Sequence, residues 1–498
     1  MSEREGSQRE NCRIPPASAL PAGHLVGVAA CGRGLVGPIR ALLTSAQAPG
    51  SRPTERTTGT PHRSVLRSAR VRSRHWETSM TKSLYALGEV PPLGRVPSRM
   101  HASVVRQDRF GPPKQAIRTE VVDVPAVGPG QVLVYVMAAG INYNTVWASL
   151  GQPVDVIAAR QRFGLPEDFH IGGSEGSGVV WAVGDGVRGV QVGEHVVLSG
   201  GQWDQASADL RYPEQKATST GFAWGYETNY GSFAQFCLVF DYQCYPKPAR
   251  LSWEEAACFM LTGPTAYRQL FGWPGHTVRP GDPVLIWGGA GGLGSMAIQL
   301  VRMVGAVPIA VVSEESRGEY CRRLGAAGVI NRREFDHWGR LPDTDDAEAM
   351  AAFYRGARAV GRQIWEILGE RRAPRVVLEH SGEDTLPTSV YLCEAGGMVV
   401  LCGGTSGYNG DLDLRHLWMR SKRLQGSHGA NAREFREVVR LVDCGLLQPC
   451  LSVCEGFEDI GHLHQLMHDN AHPPGNMAVL VNAPQRGTAT LGQPAGAA

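Results

Sequence analysis

The 498-residue chain predicts a two-part α/β architecture, a β-rich, barrel-like domain followed by a Rossmann-type domain with a doubly wound parallel sheet. Three observations predict it. Short strand-like runs recur between residues 100 and 240, punctuated by Gly, Pro and Asp. At Pro283 the pattern changes to strand, glycine turn, helix and strand. Hydrophobic residues make up 43% of the chain and charged residues 19%, a balance that builds folded cores.

The elements follow in order. The strand runs are HASVVRQ, AIRTEVVDVP, QVLVYVMAAGIN, GSGVVWAVGDGV, GEHVVLS and SFAQFCLVF. The segment WEEAACFMLTGPTAYRQLF then changes period: Ala256, Phe259 and Met260, and later Tyr267, Leu270 and Phe271, suit helices, with Ser252 as N-cap. VLIW (284–287) reads as a buried strand, GGAGGLG (288–294) as a tight turn, SMAIQLVRMVG as an amphipathic helix and VPIAVV (307–312) as a second strand. The helix EYCRRLGAAG follows, and RVVLEH and GMVVLCG are later strands. Between them Phe353, Val360, Ile364 and Ile367 recur at helical spacing over a long helix. The expected spans are 80–275 for the β-rich domain, 276–425 for the parallel sheet, 426–488 for a segment returning to the first domain, and 489–498 for a tail. Residues 1–79 are rich in Arg, Ser, Pro and Thr and poor in apolar residues. They bury too little surface to offset chain entropy and read as a disordered extension or as sequence upstream of a start at Met80. An organelle transit peptide is the alternative.

Composition excludes several classes. A net charge of +2 offers no electrostatic footprint for nucleic acid. The eleven cysteines form no CxxC pair, so no zinc ribbon or redox dithiol is expected, and the thiols read as reduced in a cytoplasmic protein. No apolar run approaches the ~20 residues of a membrane span.

Gly289, Gly291 and Gly294 form GxGxxG, with Gly292 and Leu293 completing the turn. Missing side chains let the backbone approach a pyrophosphate, whose charge meets the amides and dipole of the next helix. The strand before it and the helix and second strand after it supply the required context. Past the second strand, Ser313 and Arg317 suit the 2′-phosphate of NADPH, since a guanidinium pairs with phosphate bidentately. Glu314 and Glu315 argue for NAD instead. Earlier, GINYNTVW (140–147) interrupts an apolar stretch with two amides, Asn142 and Asn144, which need partners if buried.

A β domain before a Rossmann unit resembles the medium-chain dehydrogenase/reductase superfamily, with its GroES-like catalytic domain. In its zinc enzymes a Cys stands at the place of Asn142 and a His at that of Ser174. Neither residue here is a good zinc ligand, so no metal is expected. The stretches GINYNTVW, GYETNYGSFAQF, TAYRQLF, GGAGGLGS and LWMRSKRLQGSHGAN resemble the crotonyl-CoA carboxylase/reductase family over residues 80 to 484. The resemblance implies NADPH-dependent reduction of a 2-enoyl-CoA and capture of CO2 by the α-carbon of the enolate, giving an alkylmalonyl-CoA usable as a polyketide extender unit. It implies that Asn144 donates to a CO2 oxygen, that His428 orients CO2, that Glu227 holds a water and His428, and that Tyr226 shields the pocket. Asn142 braces the loop, and His380 is a further candidate at the nicotinamide end. Coenzyme A phosphates call for cations, for which Arg415, Lys422, Arg423 and Arg358 are the candidates. A homotetramer is implied as well. The chain departs from the family at GSHGAN, where Gly429 replaces an aromatic residue; with Gly263 it is expected to widen the acyl pocket. The alternatives are an enoyl-CoA or quinone reductase without carboxylation, and a non-catalytic NADPH-binding protein.

Overall fold

The computed structural model describes residues 82–204 and 221–491. The extension expected at 1–79 and residues 492–498 of the tail lie outside them. The organising strand of the first domain is Gln131–Ile141, whose apolar run VLVYVMAA is buried throughout. It pairs antiparallel with Gly176–Val183, Phe236–Phe240 and Asn476–Leu480, so no edge of it meets water. The mixed sheet runs Cys244–Pro246, His195–Leu198, Gly176–Val183, Gln131–Ile141, Asn476–Leu480, Leu451–Glu455. A three-stranded sheet centred on Arg99–Arg106 lies beside it. Tyr135 anchors the core, with its ring 4.8 Å from Trp181 and 5.2 Å from Phe236.

Between Gly176–Val183 and the returning C-terminal strands, the chain builds a second sheet of six parallel strands. Their spatial order is Gly328–Asn331, Val307–Val312, Pro283–Ile286, Val376–Glu379, Met398–Leu401, Arg423–Gly426. The period-2 alternation of a strand explains the double winding. Val284 and Ile286 face one core with Met296, Leu300 and Val438, whereas Leu285 faces the other with Val360 and Ile364. Pro283–Ile286 lies where the winding reverses, and the glycine turn leaves its carboxyl end, the position at which such sheets bind ligands. The sixth strand ends at Gly426, one residue past the expected 276–425 span.

Two local readings are informative. Ser252 caps Trp253–Ala256, with its hydroxyl accepting from the Glu255 amide and the Glu255 carboxylate accepting from the Ser252 amide at 2.9 Å. GINYNTVW, read as an interruption after a strand, instead opens the helix Tyr143–Leu150, which Gly151 ends at φ 65°.

The helix Thr262–Phe271 follows the first domain in sequence but packs on the helices Gly292–Met303 and Ala432–Asp443. Its Arg268 pairs with Glu434 at 3.0 Å, with 4% and 7% of the two side chains exposed. Burial pushes the Glu434 carboxyl up, and the guanidinium opposes this. Arg268→Met strands that carboxylate and is expected to cost about 3–5 kcal/mol, read as a lower urea midpoint. Adding Glu434→Leu is expected to recover most of the loss.

Candidate active site

The two domains enclose a cleft of ≈ 2270 Å³, including its open mouth. The parallel sheet contributes Gly291, Gly292, Leu293, Gly294, Ser313, Arg317 and His380. The first domain contributes Asn142, Asn144, Trp147 and Tyr226, and the loop after the sixth strand contributes His428 and Gly429. Sequence positions nearly 300 residues apart thus share one space.

The glycines of the turn divide the work. A Cβ on Gly289 would lie 2.7 Å from the Ala310 Cβ, and one on Gly294 would lie 2.4 Å from the Gly288 carbonyl oxygen, so both are packing requirements. Gly289 itself is not part of the cleft wall. A Cβ on Gly291 would meet nothing closer than 3.4 Å, so its bare backbone fronts the cleft. With the start of the helix Gly292–Met303 beside it, this cradle fits a pyrophosphate. Past the second strand, Ser313 and Arg317 line the cleft together with Arg332, which sequence reasoning missed. Arg317 donates to the His472 carbonyl at 2.6 Å. The two acids that argued for NAD are engaged elsewhere, Glu314 with Arg333 at 3.4 Å and Glu315 with Arg322 at 2.8 Å. The residues present fit a 2′-phosphate.

Asn142 and Asn144 begin the helix Tyr143–Leu150 but do not cap it with their side chains. The Asn142 amide donates to the buried Glu175 carboxylate at 2.5 Å, and the Asn144 amide nitrogen lies 2.5 Å from the Ser174 hydroxyl. Ser174 and Glu175 thus serve the asparagines. Among the described residues no three His, Cys, Asp or Glu side chains gather as metal ligands. The Glu175 carboxyl also accepts from the Leu261 amide at 2.8 Å, yet burial pushes its pKa up to about 7. Tyr226 stacks its ring 6.3 Å from Trp147, and burial raises its hydroxyl to about 12, so it stays protonated.

Other expected site residues lie elsewhere. Glu227 accepts from the Ala223 amide at 2.7 Å, which closes its own turn. It faces a second, mainly apolar cavity of ≈ 1050 Å³ with Arg160, Phe163 and Tyr230. Gly263 abuts the next helix, where a Cβ would lie 2.9 Å from Val438, so it sets helix spacing and does not line the cleft. The cations proposed for coenzyme A are also away from the cleft. Arg415 forks onto Asp413 at 2.8 and 2.9 Å. Lys422 donates to the Val390 and Tyr391 carbonyls, satisfying the end of the helix Leu386–Leu392. Arg423 and Arg358 lie over the rings of Trp273 and Tyr354.

The fold and cleft define a medium-chain dehydrogenase/reductase. Residues 128–249 match the alcohol dehydrogenase GroES-like domain, and residues 292–443 match the zinc-binding dehydrogenase family. The chain is 46% identical over 410 residues to a crotonyl-CoA carboxylase/reductase of Cereibacter sphaeroides, covering 82% of this chain and 94% of that one. It is 39% identical to a crotonyl-CoA reductase of Streptomyces avermitilis, over 78% of this chain and 87% of the relative. Among solved structures it resembles the crotonyl-CoA carboxylase/reductase AntE in complex with NADP, with 67% identity, 81% and 100% coverage and a TM-score of 0.78. It also resembles the 2-octenoyl-CoA carboxylase reductase CinF in complex with NADP and 2-octenoyl-CoA, with 36% identity, 79% and 90% coverage and a TM-score of 0.72. The chain belongs to the crotonyl-CoA carboxylase/reductase family.

A stability consequence follows from Glu175. Its folded pKa of about 7 lies above the ordinary carboxyl value, so between about 4.5 and 7 the folded state holds a proton that the unfolded state has released. Stability from this group is therefore present at low pH and lost as pH rises through 7. Urea unfolding at pH 5 and pH 7.5 is expected to show a smaller loss on that rise for Glu175→Gln than for the wild type. Equal losses would place the proton elsewhere.

Proposed function

We propose that the chain reduces a 2-enoyl-CoA with NADPH and joins CO2 to the α-carbon, giving an alkylmalonyl-CoA. The observation that carries the reading is the shared cleft, which puts Asn144, Tyr226 and His428 in one space with the glycine turn. The family membership and the names of its relatives support it. Gly291 and Gly292 would hold the pyrophosphate, and Ser313, Arg317 and Arg332 the 2′-phosphate. NADPH supplies a hydride to the β-carbon when bound. The α-carbon then carries the electron pair of an enolate, which forms a bond either to CO2 or to a proton.

The chain's own residues decide that competition. CO2 is neutral and binds weakly, so capture needs fixed dipoles and little water. Asn144 and His428 supply polar groups for the CO2 oxygens. Trp147, Tyr226, Leu261 and Met467 give the cleft apolar walls that limit proton sources. Glu227 acts in this proposal from the turn behind Tyr226, on the side of the second cavity.

Chain length is part of the same proposal. Gly429 lines the cleft at φ 56°, and its missing side chain leaves room beside His428 for a longer acyl group. A homo-oligomer is included too. Trp418 (69% exposed), Met419 and Leu414 form an apolar face near the edge strand Arg423–Gly426. No described helix is long and apolar enough to cross a membrane. The free cysteines among the described residues suit the cytoplasm.

The test follows NADPH oxidation with crotonyl- or octenoyl-CoA, with and without CO2, and identifies the product by mass. A product heavier by one carboxyl group is expected; saturated acyl-CoA alone would favour the plain reductase that the Streptomyces relative's name describes. For Gly429→Phe, the ratio of kcat/KM for octenoyl- over crotonyl-CoA is expected to fall on the order of tenfold to a hundredfold, since each buried methylene contributes about 0.8 kcal/mol. Thermal melting checks that the variant folds, because a side chain at positive φ costs about 1–2 kcal/mol. An unchanged ratio in a folded variant would remove Gly429 from the acyl site.

A further inference from the structure

We infer that Ser174 is a positioning residue that sets which end of the Asn144 amide faces the reacting carbon. This rests on the carboxylation proposed above. The Ser174 hydroxyl lies 2.5 Å from one amide atom of Asn144. The other amide atom is out of bulk solvent and has no hydrogen-bond partner among the described residues. An amide fills the same space after a 180° turn, so the two orientations compete on hydrogen bonds alone.

The count separates them. If Asn144 donates to Ser174, the hydroxyl proton has no printed acceptor and the amide oxygen is left buried and unpaired. Its lone pairs would then repel the partly negative oxygens of CO2. If Ser174 donates to the Asn144 carbonyl, hydroxyl and carbonyl are both satisfied, and the NH2 group is the one turned to the site. Its protons can then meet a CO2 oxygen and the carboxylate that forms from it. A buried polar group left unmatched is costly, which selects the second arrangement.

Ser174 is well placed for this task. It is 1% exposed, and its backbone is fixed from several sides. The Ser232 amide donates to the Gly173 carbonyl at 3.0 Å. Gly200 approaches so closely that a Cβ there would lie 2.7 Å from the Ser174 carbonyl oxygen. Asn142 is held in parallel by Glu175, so adjacent residues of one loop brace both asparagines.

The test compares wild type, Ser174→Ala, Ser174→Thr and Asn144→Ala. It measures the ratio of carboxylated to protonated product, the KM for CO2 and the KM for the enoyl-CoA. Ser174→Ala is expected to lower the product ratio and raise the KM for CO2 about tenfold each, with the enoyl-CoA KM within about twofold. Ser174→Thr, which keeps the hydroxyl, is expected to restore the ratio, and Ser174→Ala is expected to add nothing in an Asn144→Ala background. An unchanged ratio in Ser174→Ala, or equal losses in both KM values, would overturn the role. A wild type that makes no carboxylated product would overturn the parent proposal instead, and that is read before any variant.

Discussion

The nucleotide turn and the asparagine loop are held in register through Asn476. Its side-chain oxygen sits so close to Gly292 that a Cβ there would lie 2.0 Å away, and its amide donates to the Pro449 carbonyl at 2.7 Å. Next to it, the Gly475 amide donates to the Ala290 carbonyl at 2.8 Å. Asn476 also opens the strand Asn476–Leu480, in which Met477 pairs with Ile141. Ile141 directly precedes Asn142, Tyr143 and Asn144. A short path of backbone pairing thus joins the start of the helix Gly292–Met303 to the amides of the reacting site. Only glycine at 292 permits that approach. Geometry across the cleft therefore depends on a fixed joint, and Trp147, 3.9 Å from a Cβ built on Gly403, spans the gap a second time.

From that joint the chemistry follows. The loop positions where zinc relatives present ligands carry Asn142 and Ser174 here, and Glu175 is spent on Asn142 and Leu261. Neutral amides and a hydroxyl take over the polarising task. Such groups act weakly in water but strongly in a dry, pre-arranged site, because the protein has already met the cost of orienting them. The price is rigidity, visible in the glycines at 172, 173, 176, 200 and 225, where added side chains would meet neighbouring atoms.

Much of the fold was legible in the sequence. Strict alternation in VLIW and VPIAVV foretold a sheet buried on both faces, and the glycine turn marked where the ligand sits. Ser252 announced its own capping box. The rest depended on contacts distant in sequence. Tyr143, Asn144 and Thr145 are poor helix formers, so the helix Tyr143–Leu150 forms because Val146, Ala148 and Ser149 are buried against the domain, not from propensity. Arg332 follows a short third strand, too far from Arg317 in sequence to be read as its companion. Arg415 and Lys422 looked like cations awaiting phosphate, yet Asp413 and two backbone carbonyls absorb them. Glu314 looked like a ribose ligand until Arg333 was seen beside it. Charge can be counted in a sequence, but its partner cannot.

The central claim is that the cleft steers an enolate to CO2 in preference to a proton. The most direct measurement runs the wild-type reaction in deuterated water with 13C-labelled CO2 and scores the α-carbon of the product. The account predicts that most molecules carry a 13C carboxyl group, with α-deuterium rising only as CO2 is withdrawn. Deuterium at the α-carbon in most molecules at saturating CO2 would contradict it.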